Sequence, residues 1–133
     1  GLNNMLIGNS GNNRLNGGLG QDSLRGGAGA DTFVFDTALG GTNFDNVLDF
    51  NVVDDVLHLD DVVFTGLAAG ALAASAFANN LSGTATDALD RIIYETDTGR
   101  LYFDADGNGA GARIHFATLS GTPVLTNADV FVV

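Results

Sequence analysis

The chain has 133 residues and a formal net charge of −11, with 16 acidic residues against five arginines and no lysine. That balance argues against nucleic acid and anionic membrane surfaces as partners, and it describes a chain that repels itself until cations arrive. There is no cysteine, hence no disulfide or thiol chemistry. No apolar run approaches the roughly 18 residues of a transmembrane helix, so membrane insertion is not expected. Apolar residues make up 45% of the chain and include nine phenylalanines, enough for the core of one domain. No basic region followed by an apolar stretch opens the chain, so no cleavable export signal is visible.

The N-terminal stretch reads in nines: G-N-S-G-N-N-R-L-N (8–16), G-G-L-G-Q-D-S-L-R (17–25) and G-G-A-G-A-D-T-F-V (26–34). Glycine stands at positions one and four of each unit. Asn13, Asp22 and Asp31 occupy position six, and Leu15, Leu24 and Phe33 position eight. Asn4 and Leu6 fill the same two slots of an earlier copy, so the chain reads as the tail of something longer. Each unit asks for a glycine-rich turn and a short strand with one buried apolar side chain. Strands that short must stack on one another. A flexible linker would have no reason to keep its apolar residues in phase with its acids.

These units resemble the nonapeptide G-G-x-G-x-D-x-U-x of the RTX family, the hemolysin-type calcium-binding repeats. The resemblance implies an all-β chain: a parallel β-roll in which repeats n and n+2 stack about 4.8 Å apart, followed by a C-terminal antiparallel β cap with one short helix. It implies calcium (Ca2+) held between stacked loops by carbonyl and carboxylate oxygens. One loop would give the carbonyls of positions two and four and the side chain of six. The loop two repeats on would give the carbonyls of one and three and the side chain of six. Carried over, Asn9, Gly11 and Asn13 face Gly26, Ala28 and Asp31, while Leu2 and Asn4 face Gly17, Leu19 and Asp22. Gly18, Gly20 and Asp22 form a half-site with no nonapeptide above it, as do Gly27, Gly29 and Asp31. Asp36 and Asp45 are the candidates to close these. Asn9 departs from the consensus glycine, and Asn4 and Asn13 from aspartate, so their sites carry less charge and should bind more weakly.

Residues 1–35 are thus expected to form the roll and 36–133 the cap, as one continuous domain. After the polar loop Thr37–Asn43, the runs Asn46–Phe50 and Val56–Leu59 read as short strands. The segment D-N-V-L-D-F-N-V-V-D-D-V-L-H-L is similar to the one that follows the roll in serralysin-type proteins, with Val53 where a glycine is usual. Asp49 and Asp55 read as turn and strand-end residues rather than ligands. The Ala-rich Leu67–Phe77 predicts a short helix that covers the core, a partner-binding helix being the other reading.

Arg91–Glu95, Arg100–Phe103 and Ala112–Thr118 predict an antiparallel meander. Its loop D-A-D-G-N-G (104–109) matches the start of an EF-hand, but His115 stands where a bidentate glutamate is required. That leaves a hairpin loop capping its own backbone or an additional calcium site. The C-terminal D-V-F-V-V resembles the signal read by type I secretion machinery, and also fits an edge strand.

No H-E-x-x-H, G-x-S-x-G, phosphate-binding loop or cysteine nucleophile occurs, and His58 and His115 lie in strand-like runs. The chain is not expected to be an enzyme. The family implies a secreted, extracellular module that folds on calcium and carries a type I secretion signal for an upstream passenger domain. A carbohydrate- or partner-binding adhesion module on the same roll is the alternative; Tyr94, Tyr102, Phe103 and Phe116 would serve it if exposed.

Overall fold

Strands of three residues with one apolar side chain gain burial only by stacking, and stacking is what the computed structural model of residues 1–133 displays. Strands β1 (Met5–Ile7), β2 (Arg14–Asn16), β3 (Ser23–Arg25), β4 (Thr32–Phe35), β5 (Asp45–Val47) and β6 (Val56–Leu59) alternate between two sheets. Neighbours within each sheet are parallel. Leu6 pairs with Leu24 and Leu24 with Val47; on the other sheet Leu15 pairs with Phe33 and Phe33 with Leu57. The position-eight residues therefore form two apolar columns between the sheets. Leu24, Phe33 and Val47 are fully buried there.

The chain then leaves this stack and returns to it. The excursion contains β7 (Gly70–Ala71), β8 (Phe77–Asn80), β9 (Ile92–Glu95) and β10 (Arg100–Phe103), and the return is made by β11 (Ile114–Leu119) and β12 (Val130–Val132). β11 lies parallel on β5 and places Leu119 against Val47. β12 lies parallel on β6 and places Val130 against Leu57. The first sheet has the order β1-β3-β5-β11-β10-β9-β8 and the second β2-β4-β6-β12-β7. The parallel tiers therefore run past Phe35, through β5 and β6, to the last strands of the chain.

Phe64, from the excursion, is fully buried and stands edge-on to Phe116 and Phe103, with ring centroids 4.9 Å and 5.4 Å apart. Phe35 meets Phe116 in the same manner at 5.4 Å. One contiguous core includes Leu15 and Leu24 of the repeats together with Phe103, Phe116, Leu125 and Val132. No helix is long and apolar enough to cross a membrane.

Three expectations are corrected. The region after Phe35 is mixed rather than antiparallel: β9, β10 and β11 form the expected antiparallel meander, but β8–β9, β5–β11 and β6–β12 are parallel pairs. The run 67–77 forms no α-helix, only a 3-10 turn over Ala74–Ala76. Isolated helices of that length are marginal in water. Gly70, at φ +109°, breaks the run, and Phe77–Asn80 pairs with β9 instead. The terminal strand is not an edge: β12 lies between β6 and β7. A capping box introduces it, with the Thr126 N–H donating to Asp129 Oδ2 at 2.8 Å.

If one core serves the repeats and the C-terminal strands together, Phe64→Ala should lower stability by roughly 3–5 kcal/mol in urea unfolding and leave a single transition. Two separated transitions, with only the later one shifted, would show that the core is divided.

Candidate metal site

The turns between tiers are built around the position-six side chain, which folds back over the position-one glycine. A Cβ on Gly17 would sit 2.6 Å from Asp22 Oδ2 and 2.8 Å from Asp45 Oδ2, so no larger residue fits there. Gly18 and Gly27, at position two, have φ of +82° and +100°, the left-handed region that glycine enters without strain.

The position-six aspartates also reach one tier down. Asp22 Oδ1 accepts the Asn4 N–H at 2.6 Å, and Asp31 Oδ1 accepts the Asn13 N–H at 2.8 Å, both spanning 18 residues. The pattern continues above the nonapeptides. Asp45 Oδ1 accepts the Asp22 N–H at 3.1 Å across 23 residues, and Asp55 Oδ1 accepts the Asp31 N–H at 2.9 Å across 24. Two columns result: Asn4–Asp22–Asp45 and Asn13–Asp31–Asp55.

The expected pairs of loops do meet. The Leu2 carbonyl lies 2.6 Å from where a Cβ on Gly20 would sit, and Leu19 packs against Gly1. Gly27 and Gly29 likewise approach the carbonyls of Asn9 and Gly11, bringing the loop of Gly26, Ala28 and Asp31 onto that of Asn9, Gly11 and Asn13. The first of these loops has its own conformation, with neither Asn9 nor Gly11 left-handed. Instead Asn9 Oδ1 accepts the Gly11 N–H and Asn13 Oδ1 accepts the Asn9 N–H, both at 2.8 Å. Asparagine here supplies by hydrogen bonds the turn that glycine supplies elsewhere.

Of the two candidates to close the upper half-sites, Asp45 stands above Asp22 and Asp36 stands away from both columns. Asp36 is exposed and accepts a hydrogen bond from Asn16 Nδ2 at 2.8 Å. It directly follows β4, at the end of the strand opposite the turn that carries Asp31. Asp55 takes the place above Asp31. Asp49 accepts the N–H groups of Gly26 and Gly27 at 2.9 and 3.0 Å. Asn3, Asn12 and Asn43 clamp the loops together: their Oδ1 atoms accept the N–H groups of Gln21, Ala30 and Gly20 at 2.9, 2.8 and 2.8 Å. The sequence does hold a signal for Asp55: Asp45-Asn46-Val47 and Asp55-Val56-Leu57 repeat the acid–x–apolar spacing of Asp22-Ser23-Leu24. The extra residues in loops 36–44 and 48–55 hide the phase.

The columns are electrostatically unbalanced. Asp22, Asp31, Asp45 and Asp55 are 0%, 1%, 4% and 6% exposed. The one ion pair of the chain, Arg25 with Asp49 at 4.0 Å, lies at the rim. Asp22 Oδ2 and Asp31 Oδ2 are buried with no hydrogen-bond partner. Burial pushes the Asp45 carboxyl up to about 7, and the Asp22 charge adds to the rise against the lowering effect of the Asp22 N–H. Asp55 is raised for the same first reason, and the charges of Asp31 and Asp49 add to it.

Buried, unpaired carboxylate oxygens at a wall of backbone carbonyls fit a hard divalent cation that takes six to eight oxygen ligands. No three acidic or histidine side chains converge anywhere, so carbonyls of the turns would have to complete the shell. The histidines are engaged elsewhere. His58 meets Arg14 at 3.4 Å, and His115 Nε2 lies 2.9 Å from both Ala117 O and Thr118 Oγ1. The loop after Phe103 caps itself, with Asp106 Oδ2 accepting the Gly111 N–H at 2.7 Å.

The chain thus builds a parallel repeat coil with acids stacked in its turns, tier upon tier. Residues 1–34 match the RTX calcium-binding nonapeptide repeat in four copies, and this part of the chain is an RTX repeat array. No curated protein matches the chain.

The pH dependence of the calcium-free fold follows from Asp45. Its folded value lies above the ordinary 3.8, so the protonated form stabilises the fold. That stabilisation is complete below about 3.8 and is lost as pH rises through about 7. The loss amounts to on the order of 4 kcal/mol. Urea unfolding in calcium-free buffer between pH 4 and 8 (roughly the span set by these values) should show a smaller decline for Asp45→Asn than for the unaltered chain. Identical declines would remove Asp45 as the cause.

Proposed function

We propose that the chain is a calcium-responsive RTX module, a β-roll that folds on extracellular calcium and carries a type I secretion signal for an upstream passenger. The observation that carries this reading is the pair of buried, unpartnered oxygens on Asp22 and Asp31. In calcium-poor cytosol these charges oppose closure of the tiers, and an open chain suits export through a narrow channel. Outside, calcium binds the folded state alone and stabilises it by RT ln(1 + [L]/Kd), about 2.7 kcal/mol per site at a hundredfold excess over Kd. Folding then draws the chain outward.

The C-terminal Asp129–Val133 would be read unfolded and afterwards pack as β12, where Val130 and Val132 are buried. The similarity of residues 45–59 to the segment that follows the roll in serralysin-type proteins supports the secretion reading. The module is non-catalytic on this reading, and its place is secreted and extracellular. The adhesion alternative is not favoured, since Tyr94, Tyr102, Phe103 and Phe116 are 2–6% exposed and lie within the cores.

Far-UV circular dichroism during a calcium titration from a chelated start, with magnesium as control, tests the proposal. A calcium-specific gain of β signal is expected. A chain equally folded in chelator would overturn calcium-gated folding.

A further inference from the structure

The two sheets are unequal. The first has seven strands and the second five, and the second stops at β7. Beside β7 a groove of about 240 Å³ opens at the surface, with residues 66–76 on one side and Leu89 and Arg91 on the other. Leu67, Ala71, Leu72, Ala76 and Leu89 make its wall apolar, and Leu89 is 61% exposed there. The two sides are tied together where the 3-10 turn ends: Ala76 O accepts the Arg91 N–H at 2.9 Å.

Arg91 is the one charged residue in this wall. It is half-buried, and no carboxylate lies within ion-pair distance of it, since only Arg25 and Asp49 are paired in the chain. Its Nη1 donates to Ala88 O and Asp90 O at 2.8 and 3.0 Å, which holds the guanidinium in place, while its Nε and Nη2 make no hydrogen bond. In a chain of net charge −11, this arginine keeps donors for an anion from outside. Asp104 and Asp106 feel its charge, so negative charge already surrounds the guanidinium. A phosphate or a polyanion would meet that field with a second charge, whereas a single carboxylate matches the planar fork of the guanidinium.

We propose that this groove is a binding site for an aliphatic monocarboxylate, with the carboxylate on Arg91 and the tail against Leu67, Ala76 and Leu89. Sites for small molecules are mostly apolar, with a few polar groups that fix orientation, and this wall has that make-up. The tail supplies apolar area that leaves water on binding, and the guanidinium supplies the selection for an acid over an alcohol. None of the turn acids lines the groove, so the inference stands apart from the calcium reading.

The test is a 1H–15N titration of the full chain, in calcium-containing buffer, with octanoate, octan-1-ol and acetate. Octanoate should move the amides of residues 67–76 and 89–91 and bind roughly tenfold tighter than octan-1-ol, the worth of a charge-assisted hydrogen bond. Arg91→Gln should remove that advantage and leave octan-1-ol binding unchanged. Amides that stay put with octanoate overturn the site. Equal binding of octanoate and octan-1-ol, or an equal response to acetate, overturns it too, because tail or charge would then act alone. An Arg91→Gln chain that keeps the octanoate advantage, or that loses octan-1-ol as well, overturns Arg91 as the contact for the anion. Should Arg91→Gln fail to fold, the three probes on the unaltered chain decide.

Discussion

The structure depends on carboxylates that are buried and yet indispensable. Asp22, Asp31, Asp45 and Asp55 lie in two columns, with no cationic side chain among them. Removing such groups from water is costly unless their charge is matched. They cannot swing out to solvent, because each holds the backbone N–H of the tier beneath it. The bond that sets the stacking and the charge that opposes it belong to the same side chain. Folding this chain therefore buries charge that has to be matched or neutralised.

That coupling explains the composition of the turns. A carboxylate folded back over position one leaves no room for a Cβ, hence the glycine at Gly17 and Gly26. Where the acid becomes Asn13, the turn changes too: the left-handed positions disappear and asparagine side chains hold the loop by hydrogen bonds. A neutral amide brings fewer charges together and so needs less from a cation. The two ends of the repeat array thus differ in electrostatic demand as well as in sequence.

The same logic extends into the part of the chain without consensus repeats. Loops 36–44 and 48–55 are longer than the nonapeptide turns, yet β5 and β6 return to the columns and deliver Asp45 and Asp55 in register. β11 and β12 then cover the apolar columns with Leu119 and Val130, and Phe64 fills the space behind them. Burial of Leu24 and Phe33 thereby depends on residues near the opposite end of the chain. A three-residue strand with one apolar side chain has no other way to leave water.

The pairing of each loop with the one two repeats away followed from the family resemblance, whereas the sequence by itself determined the repeat phase, the meander of β9 to β11 and the acids at position six. All of these are local or strictly periodic, so spacing and turn chemistry carry them. Only the tertiary structure decided what lies above the last nonapeptides. Asp55 rather than Asp36 stands over Asp31, because insertions broke the phase that would have revealed it. The Ala-rich run 67–77 gave up its helical preference, since pairing of Phe77–Asn80 with β9 offered more than a short isolated helix could. The last strand became a central one for the same kind of reason: which strand fills a tier depends on partners far away in the chain, and no local pattern encodes that choice.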